Sequence, residues 1–172
     1  MGWRSLEEFI RALEMRGELL RVGHPIDVRF EAGCIADRLV KMGGPAVVFD
    51  QPRLEDGSIS RFPLAMNLFG TRERTNMALG VNEPSEIGEM MVGLMKPDIG
   101  GILKRPWTGV KLLKQGISMA PKRVSRGKCQ QVRIADPDVT KLPIPVTWPD
   151  DGGPFMTLPL VVTADPDSGA HN

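Results

Sequence analysis

The chain carries almost no net charge. Twenty-two Lys and Arg stand against 21 Asp and Glu, a balance of +1 over 172 residues. There is therefore no electrostatic case for a nucleic-acid partner or an anionic membrane surface. Cysteine is scarce: Cys34 and Cys129 are far apart and lack metal-ligand spacing, which argues for two free thiols in a reducing compartment. Long apolar runs are missing. No stretch of about 18 apolar residues offers a membrane span. The first five residues lead straight into an amphipathic pattern with no apolar signal core. A cytoplasmic protein is the expectation. Gly43-Gly44 and Gly100-Gly101 make neither a GxGxxG nor a P-loop, so a nucleotide fingerprint is absent. There is no internal repeat and no low-complexity segment.

Glycine and proline are plentiful, at 19 and 15 residues, and predict short elements joined by long irregular connections. Apolar residues at 41% and charged residues at 25% are ordinary for a globular protein with a core. The length suits one domain, or one domain plus a piece of another.

In chain order, Ser5 and Glu8 have capping-box spacing, and Leu6, Phe9, Ile10 and Leu13 recur at helical spacing, so a helix is predicted over 5–16 with Gly17 as its stop. Residues 18–22 read as a strand broken by His24-Pro25. Residues 31–42 read as a helix with Cys34, Ile35, Leu39 and Met42 on its apolar face. Ala46–Phe49 is a continuous apolar run that suits a buried strand. Asp56-Gly57 centres a turn, and residues 62–69 are the return strand, paired antiparallel with 46–49. Thr71 opens a helix over 72–79 closed by Gly80. Pro84 stands at a tolerated first-turn position before helical residues 86–95, which Lys96-Pro97 ends. Residues 98–108 read as loop, 110–115 as one or two helical turns, and 116–128 as a basic linker containing Lys122, Arg123, Arg126 and Lys128.

After the linker the pattern turns β-like. Val132 and Ile134 alternate in 130–134, and Asp136-Pro137-Asp138 is a turn. Pro143, Pro145 and Pro149 exclude a helix. Residues 155–163 are the longest strand expected, with Pro159 marking an edge or bulge. Residues 165–169 have turn chemistry, and the turn directs Asn172 back along the strand. A strand followed by a turn with no partner after it looks like half a hairpin, so the chain is expected to be the front part of something larger. The boundaries are 1–124 for an α/β domain and 125–172 for the start of a β domain.

Few residues suggest chemistry unaided. His24 reads as a loop or strand-end histidine and His171 as a solvated end. Arg72-Glu73-Arg74 reads as a solvated helix face, Met90, Met91 and Met95 as core, and Asp150-Asp151 as carboxylates solvating a turn. An amide oxygen such as that of Asn172 suits a hard cation, Mg²⁺ or Mn²⁺, but one amide does not make a site.

Short blocks spread along the chain nevertheless resemble, in order, the N-terminal portion of the UbiD family of decarboxylases. They are Leu6-Glu7-Glu8-Phe9-Ile10 with the segment 16–22, then 44–49, then 67–74 leading to Ala78-Leu79-Gly80, then Cys129-Gln130, Leu142-Pro143-Ile144-Pro145, and 148–155 through Asp165-Pro166 and 169–172. The resemblance implies an α/β (α+β) N-terminal domain over 1–124, followed over 125–172 by the opening strands of a flavin-binding split β-barrel. It implies a reversible, non-oxidative carboxy-lyase acting on aromatic or α,β-unsaturated carboxylic acids. The family uses prenylated FMN, held through a divalent metal, usually Mn²⁺, with a monovalent cation such as K⁺ nearby, and the cofactor carries the hard chemistry. A C-terminal domain usually forms a homo-oligomer. Asn172 matches the asparagine whose side-chain oxygen ligates the metal. No catalytic and no flavin-contacting residue of the family falls within these 172 positions, so the chain alone is expected to be inactive. The alternative is a non-catalytic scaffold subunit or relic that pairs with a separately encoded flavin-binding partner.

Overall fold

The computed structural model describes residues 3–95, 124–127 and 130–171, with single positions 110, 114 and 117. These form two compact units: residues 7–71 with 138–172, and residues 1–6 with 72–137.

The first unit is built on one strand. Ala46–Phe49 (β3) is buried at all four positions, as its unbroken apolar run requires of a strand covered on both faces. Leu19–Val22 (β1) pairs with it in parallel from Leu19↔Ala46 to Val22↔Phe49. Leu64–Met66 (β5) pairs antiparallel on the other side, with Val47 opposite Met66 and Phe49 opposite Leu64. The expected antiparallel pairing is therefore present, with a return strand shorter than residues 62–69. Parallel neighbours need a crossover. It runs through Ile26–Asp27 (β2) and the helix Glu31–Lys41 (α2). Val47 and Phe49 share one face of β3 and pack with Ile26 and Ala32, flanked by Val22, Ile35, Leu39, Leu64 and Met66.

Helix Leu6–Met15 (α1) buries Phe9, Ala12 and Leu13, and Phe9 stacks on Phe69 with ring centroids 5.7 Å apart. Leu6 lies outside the expected apolar face, and Ala12 takes its place. In α2 the buried positions are Ala32, Gly33 and Ala36. Cys34 and Met42 are exposed, contrary to expectation. The small residues face inward because other backbone comes within contact distance there: a Cβ on Gly33 would stand 3.1 Å from Thr147 Cα.

Pro52–Arg53 (β4) lies parallel to β2. The turn expected at Asp56-Gly57 is present: Gly57 has φ 79° and the Leu54 N–H donates to the Ser58 carbonyl at 2.8 Å. Residues 138–147 return to this region. The short 3₁₀ turn Val139–Lys141 is capped by Asp138, Lys141 Nζ reaches Asp56 Oδ2 at 2.6 Å, and Ser60 Oγ donates to the Lys141 carbonyl at 3.3 Å. Val146, 3% exposed, bridges Arg29 in parallel.

In the second unit, Arg72–Leu79 (α3) and Ser85–Met95 (α4) are separate helices. Glu86, in the first turn of α4, reaches back to accept hydrogen bonds from the Asn82 and Glu83 N–H groups at 2.9 and 3.0 Å, which fixes the chain entering the helix. Trp3 Nε1 donates to the Met77 carbonyl at 2.9 Å. Met91 and Met95 are exposed, Met95 by 78%, so the expected methionine core is not one: among the described residues α4 buries no side chain. Most of the expected loop, helical turns and basic linker over 96–128 lies outside the described residues.

Neither late strand forms. Val132 is 80% exposed, and residues 130–134 are a short turn and bends. Residues 155–163 run without a ladder, Leu158 has φ 58°, and Leu160 is 96% exposed. Apolar alternation sets a strand's faces, but a strand also needs a paired edge, and among the described residues no ladder reaches this segment.

Two outcomes follow from these contacts. Phe49→Ala is expected to cost about 3–5 kcal/mol, and Leu160→Ala no more than about 0.5 kcal/mol, in urea denaturation of the 172-residue chain; equal losses would contradict this placement of the core. The Asp56 carboxyl is held well below the usual carboxylate range, first by the Lys141 hydrogen bond and then by those from Ser58. Lys141 is raised, mainly by Asp56. A lowered acid stabilises the fold above its unfolded value and loses that contribution as pH falls toward its folded one. The stability difference between wild type and Asp56→Asn should thus be present near neutral pH and fade progressively as pH falls below about 4, where the unfolded carboxyl protonates before the folded one. It should also shrink in high salt, because the pair is exposed.

Candidate functional site

The tail that the sequence marks for metal ligation is a tight turn. Asp165 organises it. Its Oδ1 accepts from the Asp167 N–H at 3.0 Å, the Ser168 N–H at 2.7 Å and Ser168 Oγ at 2.8 Å. These donors lower its pKa, the Ser168 backbone N–H contributing most. Gly169 takes φ 70° and donates to the Asp165 carbonyl at 2.9 Å, while the Asp165 N–H donates to Ala170 O at 2.8 Å. Ala164 and His171 then bridge antiparallel. Asp-Pro-Asp-Ser-Gly folds this way because the aspartate reproduces a backbone turn with its side chain and glycine supplies the left-handed residue. Asn172 lies outside the described residues. His171 is exposed, as expected of a solvated end.

The other carboxylates expected near the tail behave as turn formers. Asp151 Oδ2 accepts from the Thr147 and Trp148 N–H groups at 3.2 and 2.9 Å, and Asp150 is exposed. Among the described residues no three His, Cys, Asp or Glu side chains converge as a metal-binding group. Asp165 supports the turn through three donors on one carboxylate oxygen. His24 is exposed on a bend between β1 and β2. Cys34 is a free, exposed thiol, and Cys129 lies outside the described residues.

Among the described residues, the first unit has concavities on two sides of the 142–147 segment. An open groove of about 570 Å³ runs between the end of β5 and the segments 142–147 and 155–159, with Leu64, Met66, Phe69, Leu142, Phe155 and Leu158 on its walls. Among the described residues no ionisable side chain lines it, so those walls can hold apolar groups but supply no acid or base. The second, of about 490 Å³, has an apolar floor of Val28, Leu54, Leu142 and Ile144, with Glu55, Asp56 and Thr140 on its rim. Both rim carboxylates are engaged, Glu55 by Arg29 at 3.0 Å and Asp56 by Lys141.

Two polar residues lie deeper than the sequence suggests. Arg74 was expected on a solvated face but is only 2% exposed; Arg72, ion-paired with Glu83 at 3.2 Å and well exposed, fits the solvated reading. Arg74 stands two positions from Asn76, itself buried and donating through Nδ2 to the Asn82 carbonyl. A polar helix with little apolar periodicity gives no warning of which side turns inward. Asn67 takes φ 56°, and its Nδ2 donates to the carbonyls of Gly44 at 3.3 Å and Pro45 at 2.8 Å. The tolerance of asparagine for left-handed backbone was the available signal.

Among the described residues no helix is long and apolar enough to cross a membrane. Two family models match in sequence order: the 3-octaprenyl-4-hydroxybenzoate carboxy-lyase N-terminal domain over residues 10–91, and the Rift-related domain of the same carboxy-lyase over residues 122–172. Among solved structures, an evolved dimeric form of the UbiD-class enzyme HmfF from Pelotomaculum thermopropionicum, in complex with prFMN, is 23% identical with a TM-score of 0.67; the match covers 99% of this chain and 34% of that one. The HmfF structure in complex with FMN is 20% identical with a TM-score of 0.59, over 97% of this chain and 32% of that one. The likeness is one of fold, and the chain spans about a third of the length of these enzymes. With both models of one carboxy-lyase found consecutively on it, the chain belongs to the UbiD family and corresponds to its N-terminal portion.

Proposed function

We propose that this chain is the leading part of a prenylated-FMN-dependent decarboxylase that releases CO2 reversibly from aromatic or α,β-unsaturated carboxylic acids. The observation that carries this reading is the consecutive match to two domains of one carboxy-lyase. The likeness in fold to HmfF, whose structures hold prFMN or FMN, supports it. In this reading residues 1–124 are the N-terminal α/β domain and 125–172 open the split barrel. The first family match ends at residue 91 and the second begins at residue 122, three positions before this break. The parent protein is cytoplasmic and works as a homo-oligomer.

Asn172 is assigned as a ligand to the divalent metal, Mn²⁺, with K⁺ nearby. An amide oxygen is a hard donor that suits such a cation, and the turn before it fits the task of presenting one. Asp165 holds its own turn through one carboxylate oxygen, and the Ala164–His171 bridge closes that turn. Prenylated FMN, when bound, supplies the carbon chemistry of decarboxylation. This chain's own part is to position and support. The groove beside β5 offers apolar walls without titratable groups, so proton transfer falls to residues elsewhere in the enzyme. The 172 residues alone are accordingly inactive.

Supplied with prenylated FMN, Mn²⁺ and K⁺, the complete enzyme containing this chain is expected to release CO2 from members of a panel of aromatic and unsaturated acids. The 172-residue chain alone should release no more than the protein-free control, and turnover by it would overturn that part of the proposal. In the complete enzyme, Asn172→Ala is expected to lower metal retention by roughly ten-fold or more, read by elemental analysis. Unchanged metal content would remove Asn172 from the ligand set.

A further inference from the structure

Residues 138–147 lie within the second family match, yet their ties across the sequence run to residues 28–60, within the first. Along β2 the ladder begins with β4: the Ile26 N–H donates to Gln51 O at 3.2 Å and the Val28 N–H to Arg53 O at 3.0 Å. Where β4 ends, Val146 takes over. Its N–H donates to Val28 O at 3.2 Å, and its carbonyl accepts from the Phe30 N–H at 2.8 Å. Phe30 is the N-cap of α2 and sits at φ 69° and ψ −43°, a γ-turn conformation closed by the Glu31 N–H bond to Arg29 O at 2.9 Å that costs a bulky residue on the order of 1–3 kcal/mol, and the Val146 bond adds to what holds it. One residue further on, Thr147 lies against the first turn of α2, where only the absent side chain of Gly33 leaves room. At the other end Lys141 grips Asp56.

The segment is suited to docking as a ready-made strand. Pro143 and Pro145 fix their own φ and have no N–H to satisfy. The remaining N–H groups of 143–146 are both bonded, Ile144 to Leu142 O at 2.8 Å and Val146 to Val28 O. Little conformational freedom is left to lose on binding.

We propose that residues 138–147 are a docking strap and that the corner formed by β2 and the first turn of α2 is its receptor, a strand-addition groove for an extended Pro-x-Pro segment of this same chain. The strap holds by its own contacts, without the peptide connection between residues 95 and 138. It is the mechanical joint through which the region of the second family match is anchored to the first.

The test nicks the full chain. A site-specific protease sequence replaces residues 124–127, the protein is cut after folding, and the products are run on size exclusion under native conditions. The two fragments should co-elute at the mass of one uncut chain. With Gly33→Leu, which favours helix more than glycine does but fills the place of Thr147, they should separate. Lys141→Asp or Asp56→Lys alone should speed release roughly three-fold, and the two together should restore it. In the uncut wild-type chain, the Val146 and Phe30 amides should exchange with solvent together and more slowly than the Leu160 amide. Separation of the wild-type fragments would overturn the proposal, as would co-elution at twice the mass, which would assign the groove to a second copy. Continued co-elution of the Gly33→Leu products, or fast exchange at Val146 and Phe30, would do so too.

Discussion

The burial of four consecutive residues, Ala46 to Phe49, on both faces of one strand is the constraint on which the first unit depends. A strand with no solvent face must have neighbours on both edges and cover above and below. β1 and β5 supply the edges. The parallel partner can be reached only by a crossover, so α2 is committed to the sheet, and its small residues follow from the closeness of the contact. Each step is a consequence of placing an Ala-Val-Val-Phe run out of reach of water, where apolar area is worth about 25 cal/mol per Å².

Local signals in the sequence agree with the structure wherever the chain settles its own conformation. Helices α1, α2 and α3 begin and end within a residue or two of their periodicity and glycine stops, and Gly17, Gly43, Gly57, Gly80 and Gly169 all take positive φ. The turn at Asp165 is visible in its five-residue composition. Signals that depend on a distant partner were not read. The alternation at Val132 and Ile134, and the apolar run from Phe155, look like strands because β-propensity reports a half-buried pleated surface, and no sequence window says whether a neighbouring edge exists. Arg74 fails for a related reason, since the burial of a polar side chain is decided by what packs over its helix. β2 and β4, with two residues each, carry too little pattern to be seen.

The candidate site divides along the same line. Its support, the Asp165 turn and the Asp151 cap, follows from residue types whose side chains bond to backbone two or three positions away. Its ligand assignment rests on family membership, because a single amide has no geometric signature. The two apolar grooves contain side chains brought together from segments nearly eighty residues apart or more, and sequence spacing does not register such convergence.

The ion pair between Lys141 and Asp56 joins residues 85 positions apart, and Val146 is still further from its partners at Val28 and Phe30. During synthesis at about 5–20 residues per second, roughly 4–17 seconds pass between the emergence of Asp56 and that of Lys141. Throughout that interval the Val28 carbonyl and the Phe30 N–H lack their partner in the ladder, and the strained turn at Phe30 lacks one of the bonds that hold it. The newly made N-terminal region therefore spends its first seconds with an incomplete edge, the kind of surface that chaperones cover and that pairs wrongly with other chains when crowded.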